Sequence, residues 1–491
     1  MAGISTLKEK FSAYVRESEF TPKEQFGYSA ATFGNAMAQD SVETYSEMFI
    51  IDDMGLGANA PKYTLTLKAI TKGLNIITAP VVGYLLDQSK PGQNRSLKLM
   101  IYSSIPMAIS SVLVFVVPPA SVTFKIIWVF LLYLLFNVFD TFFDISLLAL
   151  STRLSGGEKS RSALFTISNF ASSLGSMLPG FVFPLIIGNR KGDIDAERKA
   201  YFLIALIFGI LGLISMLIPS LGLKEKNILF SGTRKKKASI DFKLILLNRP
   251  LLLLCLSQTI DSIRQVCYGA LPYFYKYTLG KFTLKPFVEM CSGTLSYLGL
   301  ASLPFVSKKI SPRSVVAYGY LYTGIIYILL GLLGYKNQYI VAVLIAIGGM
   351  PNYAMGAARK IILADSVDYM EWKTYKKYGV SMRNEGMIFA FNVLCSRIAT
   401  LWKDLLFTAG LILIGYKGAE TIGTETAAAV QTPETLKGIF WLVVIPGIIG
   451  NIIPGLIMLF DNFTGERRES IMSELKEIRA ITVQQAEEEN I

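Results

Sequence analysis

Residues 122–151 have the sequence VTFKIIWVFLLYLLFNVFDTFFDISLLALS, a long apolar run that carries Asp140 and Asp144 in its second half. A helix of about 20 mostly apolar residues crosses the hydrocarbon core of a bilayer. An ionised side chain at that depth is costly, so it usually lies against a protein interior or a water-filled path. The run therefore predicts a membrane-spanning helix that lines a polar cavity.

The rest of the chain repeats this pattern. Of its 491 residues, 52% are hydrophobic and 17% are charged, and the mean hydropathy is +0.45. Only helices or closed barrels satisfy their backbone hydrogen bonds in lipid, and these apolar runs are too long for barrel strands. We therefore predict an all-α membrane protein with twelve transmembrane helices. The predicted spans are approximately 26–51, 63–87, 97–118, 122–151, 161–187, 199–222, 250–279, 284–307, 312–334, 338–364, 384–415 and 436–460.

Charged side chains lie inside several of these spans, on different helices. Because each would be costly in contact with lipid, together they predict a polar cavity inside a helical bundle, as in a transporter. The charged residues are Asp40, Glu43, Lys68, Lys72, Asp140, Asp144, Asp261, Arg264 and Arg397. Asp261 and Arg264 are nearly one helical turn apart, so they either take part in transport or simply pair with each other.

Composition also excludes several function classes. The chain has no histidine, and its four cysteines all lie within predicted spans. We therefore expect no metal site, no nucleophile–base pair, no cofactor and no enzymatic activity. Lysines and arginines are more frequent in alternate loops, which follows the positive-inside rule, so the net charge of +12 does not indicate a nucleic-acid partner. This bias predicts an integral protein of the cytoplasmic membrane with both termini in the cytoplasm.

The spans divide into two groups of six around a basic stretch. This layout is typical of major facilitator transporters, in which two similar halves bind the substrate near the membrane midplane. The predicted domains are a cytoplasmic segment 1–25, a six-helix bundle 26–222, a basic cytoplasmic linker 223–249, a second six-helix bundle 250–460 and a charged cytoplasmic tail 461–491.

Three segments resemble the glycoside–pentoside–hexuronide:cation symporter family of the major facilitator superfamily. They are LADSVDYMEWK (363–373), VFDTFFDISLLAL (138–150) and FGYSAATFGNA (26–36). The resemblance covers nearly the whole chain and implies the two-bundle fold and a sugar-like substrate. It also implies a gate at the cytoplasmic helix ends, with loop arginines and lysines such as Arg153 or Lys373 as partners of the acids. The gate candidates are Asp87, Arg153, Asp365, Asp368 and Glu371.

The sodium site of that family is not retained. Its helix II motif has two aspartates where this chain has Asn75 and Ala79, and its arginine one turn earlier matches Lys72. Two carboxylates concentrate oxygen ligands for a small hard cation, which an amide and a methyl group cannot replace. Asp144 matches the family's helix IV aspartate, and Arg397 replaces its helix XI lysine. We therefore predict that sodium coupling is lost.

Polar residues share one face of helix I and one face of helix II by their three- and four-residue spacing. The two sets are Gln39, Asp40 and Glu43, and Lys68, Lys72 and Asn75. Because the two helices are neighbours in the family's fold, we expect ion pairs between these acids and lysines. Three roles stay open. A lysine replaces the coupling cation, the cluster binds and releases a proton, or the pairs only hold the helices together.

These observations predict a secondary or facilitative transporter that moves a glycoside or uronide by alternating access, either coupled to a proton or uncoupled. The bilayer, a small sugar and a proton are its expected partners. The basic residues of helix II also suggest an anionic sugar. Two alternatives stay open, a lysolipid transporter of the same fold and a membrane sensor that does not transport. The predicted substrate-binding residues are Gln39, Asp40, Glu43, Lys72, Asn75, Asp140, Asp144 and Arg397. The predicted coupling residues are Asp40, Glu43, Lys68, Lys72, Asp261 and Arg264.

Overall fold

The computed structural model describes most of the chain, and its helices divide between two compact units. The described residues are 21–87, 94–154, 158–190, 193–223, 245–306, 310–379, 385–422, 425–427, 429–460, 463 and 465–488. Unit 1 comprises Met1–Lys235 and Gly415–Thr432, and unit 2 comprises Lys236–Ile414 and Pro433–Ile491.

Unit 1 contains six long helices. α1 begins with a capping box, in which the Thr21 backbone N–H donates to Glu24 and the Glu24 N–H donates to the Thr21 hydroxyl. This motif satisfies two backbone donors that have no partner within the helix. The helices are α1 (Pro22–Asp52), α2 (Ala60–Asp87), α3 (Arg95–Leu113), α4 (Val122–Leu154), α5 (Glu158–Gly188) and α6 (Ile194–Leu217).

Aromatic side chains fill the interior of unit 1. The Tyr45 ring stacks on Phe183 with a centroid separation of 4.4 Å, and Phe49 meets the edge of Tyr201 at 5.1 Å. All four rings are fully buried. Each aromatic pair contributes about 0.5–1.5 kcal/mol beyond its area burial. Gly175 brings α5 against α1, because an added Cβ would lie 2.3 Å from the Phe33 carbonyl oxygen.

Residues 415–432 belong to unit 1, although they connect two helices of unit 2. They contain a two-stranded antiparallel hairpin of β1 (Glu420–Ile422) and β2 (Glu425–Ala427). The Tyr416 hydroxyl donates to the Asp52 carboxylate at 2.7 Å. The Arg198 guanidinium donates to the Thr426 hydroxyl at 3.0 Å. The segment is therefore bound to unit 1 at the end where α1 terminates.

Within the described residues, unit 2 contains eight α-helices, a π-helical turn (Phe274–Thr278) and a short 3-10 helix (Phe282–Leu284). The α-helices are α7 (Arg249–Tyr273), α8 (Lys285–Val306), α9 (Pro312–Leu333), α10 (Gln338–Gly348), α11 (Asn352–Tyr378), α12 (Glu385–Leu413), α13 (Pro433–Leu459) and α14 (Gly465–Glu488). The predicted span 338–364 is divided between α10 and α11. Pro351 lies at this break, and proline disfavours helical conformation in the residue before it.

α14 packs on the C-terminal part of α11. The apolar residues spaced for one helix face, Ile471, Leu475 and Ile478, are all buried. Ile471 packs in a cluster with Tyr369 and Phe463. An amphipathic helix of this kind is stabilised mainly by burial of its apolar face.

Seven helical segments in the described part of the chain are long and apolar enough to cross a membrane. They are Arg95–Leu113, Val122–Ser151, Leu164–Gly188, Ile194–Leu221, Pro312–Leu333, Gln338–Lys377 and Pro433–Leu459. The all-helical architecture is therefore confirmed, and the count of twelve crossings stays a prediction. Helices such as α1 and α2 lie outside this set, and each carries several ionisable residues.

Candidate functional site

Two carboxylates of α4 are held by two amides of α1 in unit 1. The Gln39 amide nitrogen donates to Asp140 Oδ1 at 2.7 Å and to Asp144 Oδ2 at 3.2 Å. The Asn35 amide donates to Asp144 Oδ1 at 2.7 Å. Carboxylates four residues apart on one helix repel each other, and charge-assisted hydrogen bonds from the amides offset that repulsion. The arrangement presents carboxylate oxygens that can accept hydrogen bonds from a polar solute or share a proton.

Two ion pairs join α1 to α2 beside this cluster. Lys72 Nζ lies 2.5 Å from Glu43 Oε1, and Lys68 pairs with Glu47. The Lys68 and Glu47 side chains are each only 6% exposed. An acid of helix I and a lysine of helix II thus pair in Glu43–Lys72, while Glu47 was not among the predicted residues. Because both lysines are paired with a carboxylate, they give no excess charge that would attract an anionic solute.

The remaining predicted residues of unit 1 lie near these groups. The Thr44 hydroxyl donates to Asp40 at 3.2 Å, one turn along α1. The Asn75 amide donates to Asn137 Oδ1 at 3.4 Å. Asn137 is buried on α4 and was not among the predicted site residues. Asn75 thus links α2 to the helix that carries both aspartates.

Unit 2 contains a second charged cluster, on α7 and α11. Arg264 Nε donates to Asp261 Oδ1 at 2.6 Å and its Nη2 to Oδ2 at 3.3 Å, so the two residues form an ion pair. Arg359 of α11 donates from Nη1 to Asp261 Oδ2 at 3.3 Å. Arg264 Nη1 also donates to the Tyr268 hydroxyl at 2.6 Å and approaches Asn352 Oδ1 at 3.5 Å. Two arginines therefore share one aspartate.

Arg397, the remaining predicted basic residue, lies on α12 in unit 2. Its side chain is exposed, and it makes no hydrogen bond or ion pair with any residue that the structure describes. A role in binding stays a prediction for Arg397.

The acids of the 363–373 segment lie at the C-terminal part of α11, where α14 packs. Arg468 of α14 donates to Asp365 through Nε at 2.9 Å and Nη2 at 2.8 Å. These hydrogen bonds raise the pKa of Arg468 above its ordinary value. Glu371 is buried and Asp368 is half-buried. The side chains of the other two gate candidates, Asp87 and Arg153, lie outside the described part of the structure.

Several residues of these clusters were missed from the sequence. Asn35 and Glu47 precede or follow the predicted residues of α1 by about one helical turn, so the same helical spacing could have identified them. Arg359 and Arg468 pair across helices that are distant in sequence. No spacing rule within one helix could have indicated those two partners.

The clusters described above lie in a chain whose relatives are transporters. The family described as MFS/sugar transport protein matches residues 27–464. The chain belongs to this family. Its resemblance to the glycoside–pentoside–hexuronide:cation symporters is thereby confirmed, and the chain is a transporter of the major facilitator superfamily, embedded in a membrane, and not an enzyme.

Individual relatives are distant in sequence, but each matches most of the length of this chain. An isoprimeverose transporter of Lactiplantibacillus pentosus is 23% identical over 439 residues, which cover 89% of this chain and 88% of the relative. A lactose permease of Leuconostoc lactis is 22% identical over 432 residues, which cover 84% of this chain and 66% of the relative. A solved structure of a variant of the nucleoside transporter NupG superposes with a TM-score of 0.60 at 11% identity, covering 89% of this chain and 100% of that chain. The structural likeness shows a shared fold alone.

Proposed function

We propose that this transporter moves a sugar-like solute, a glycoside or uronide, by alternating access and without sodium. The observation that carries the proposal is the pair of α4 carboxylates bound to one amide, with Gln39 donating to both Asp140 and Asp144. Ionised carboxylates are strong acceptors for hydroxyl groups. A sugar offers several hydroxyls, and the distant relatives named for isoprimeverose and lactose support this substrate class.

The proposed coupling ion is a proton carried by the same pair. Ionisation of both neighbouring carboxylates costs free energy because their charges repel, and a shared proton relieves this repulsion. The lysines of α2, in turn, are paired with Glu43 and Glu47. Each of these ion pairs is neutral as a whole, so it links α1 to α2 and does not replace a coupling cation. Coupling therefore rests on Asp140 and Asp144.

The proposed gate includes the acids at the C-terminal part of α11. Asp365 binds Arg468 through two hydrogen bonds, so the gate acid is occupied by a residue of α14. The distribution of basic loops supports an orientation with this end, and both termini, in the cytoplasm. Neither a lysolipid substrate nor a sensor role is favoured by the family or by the relatives named above.

A thermal-shift screen of the purified protein tests the proposed substrate class. The ligands are neutral glycosides, uronides and lysophospholipids, each with and without sodium at two pH values. We expect stabilisation by one sugar class that is independent of sodium and is lost in Asp144→Asn. Stabilisation by lysophospholipids alone would contradict the proposal.

A further inference from the structure

We infer that Arg359 and Arg264 form a binding site in unit 2 for a singly charged oxyanion, the carboxylate or sulfonate group of the transported solute. The inference rests on the proposed function, because it names the charge class of that solute. The positive charge that would attract an anionic sugar then lies on the arginines of α7 and α11 and not on the paired lysines of α2.

The charges of this cluster do not balance. Two arginines share Asp261, and no other described carboxylate contacts either guanidinium. Arg264 and Asp261 are buried, with 7% and 2% of their surfaces exposed. The cluster therefore carries one positive charge in excess. Such a charge is costly away from water unless a counter-ion accompanies it.

The two guanidinium groups differ in how their hydrogen-bond donors are satisfied. Asp261 lies along the Nε–Nη2 edge of Arg264, where both nitrogens donate to it. Arg359 reaches Asp261 with Nη1 only. Its Nε is buried and has no acceptor among the described residues. Buried donors are normally satisfied, and a donor without a partner calls for an explanation. A carboxylate or sulfonate bound at Nε of Arg359 would supply the missing acceptor.

Part of the cluster is exposed. The Arg359 side chain is 19% exposed, and its guanidinium lies 5.6 Å from the centre of the buried Tyr320 ring. This ring contact restricts the arginine while leaving part of it exposed. The Tyr268 hydroxyl accepts a hydrogen bond from Arg264 at 2.6 Å, so the hydroxyl proton of Tyr268 points away from Arg264. Tyr268 is 45% exposed. The accessible groups of the cluster are therefore mainly donors.

An arginine suits this role better than a lysine would. Its planar guanidinium presents two parallel N–H groups that match the oxygens of a carboxylate or sulfonate. The Asp261 carboxylate already binds Arg264 in this two-donor geometry. The same carboxylate also accepts a hydrogen bond from Arg359, so it holds the two arginines together. Asp261 is thus a positioning residue, and Arg359 is the residue proposed to touch the ligand.

The test compares two ligands that differ at one group, methyl β-D-glucoside and methyl β-D-glucuronide, with the full-length protein. We expect the glucuronide to bind more tightly. Arg359→Gln should lower its affinity about 10–100-fold, as for loss of hydrogen bonds to a charged group, and change glucoside affinity less than twofold. Arg359→Lys keeps the charge and should recover only part of the loss. Arg249→Gln is the matched control, because Arg249 is exposed in the same unit and donates to the Phe460 carbonyl.

Acetate and methanesulfonate, which lack a sugar, separate this inference from the proposed function. Stabilisation by either anion that is lost in Arg359→Gln, without binding of any sugar, would support the oxyanion site and contradict sugar transport. Equal binding of both glycosides, unchanged in Arg359→Gln, would overturn the oxyanion site and leave sugar transport supported. Failure of all four ligands to bind would overturn both.

Discussion

The side-chain amide of Gln39 lies 2.7 Å from the carboxylate of Asp140 and links α1 to the helix with both membrane-embedded aspartates. This contact explains how two acids one turn apart are tolerated on an apolar helix. The same amide also reaches Asp144 at 3.2 Å, so one side chain serves both carboxylates.

Gln39→Leu should impair transport strongly. The substitution removes a donor shared by two carboxylates, and hydrogen bonds to charged groups contribute about 1.5–3 kcal/mol each. We expect sugar uptake into proteoliposomes to fall at least tenfold. Asn169→Leu on α5 is the control, because Asn169 is exposed and its side chain makes no hydrogen bond with the described residues. Equal uptake by Gln39→Leu and the control would show that the amide bridge is not needed.

Lys68→Met should destabilise the protein more than Lys72→Met does. The Lys68–Glu47 pair is 6% exposed on both sides, whereas Glu43, the partner of Lys72, is 34% exposed. Removing one partner of a buried pair costs about 3–5 kcal/mol, because the other charge is left without compensation. Thermal unfolding in detergent measures both variants. Replacing Lys68 and Glu47 together by Met should restore much of the loss, and a double variant less stable than Lys68→Met would argue against this cause.

Gly450→Ala should disturb the arginine cluster of unit 2. A Cβ at Gly450 would lie 2.1 Å from the backbone nitrogen of Arg264, so α13 would have to move away from α7. Overpacking of this kind costs about 1–3 kcal/mol. Gly356→Ala on α11 is the control, because nothing lies within 4 Å of an added Cβ there. A thermal midpoint of Gly450→Ala equal to that of the control would contradict the close helix packing.

Docking of α14 should weaken in acid. The Glu474 carboxylate accepts hydrogen bonds from Lys376 and Trp372, which lower its pKa. Because the pKa is lowered, this contact stabilises the docking of α14 fully above the ordinary glutamate pKa of about 4.3. The stabilisation is lost as the pH falls through the lowered value. Fluorescence of a variant that keeps Trp372 as its one tryptophan should therefore stay constant from pH 7 down to the ordinary glutamate pKa and change only at lower pH. Glu474→Gln should remove that transition, and a transition that persists in this variant would assign it to another group.

Much of the fold follows from apolar runs whose length matches a bilayer. The predicted span 122–151 lies within α4, Val122–Leu154, because an uninterrupted apolar sequence has no other way to satisfy its backbone in lipid. The span 338–364 was predicted as one helix and is two, since Pro351 disfavours the helix before it. The two paired strands Glu420–Ile422 and Glu425–Ala427 were not predicted.

The clusters were predictable where they depend on spacing within one helix or, as for Glu43 and Lys72, on helices that the resemblance makes neighbours. Asp261 and Arg264 are three residues apart and pair as that spacing indicates. Arg359 reaches Asp261 across 98 positions of sequence. Arg468 reaches Asp365 across 103 positions. Such pairs depend on the rotation and depth of one helix against another, which hydrophobic periodicity does not specify.

The most direct test of the account is sugar uptake into proteoliposomes under an inward proton gradient or an inward sodium gradient. We predict that the proton gradient accelerates uptake and that sodium at constant pH has no effect. Asp140→Asn keeps an acceptor but cannot take up a proton, so it should lose the response to the proton gradient, whereas Asp195→Asn on α6 should keep it. A steep dependence on sodium, or a full proton response in Asp140→Asn, would contradict proton coupling through the α4 carboxylates.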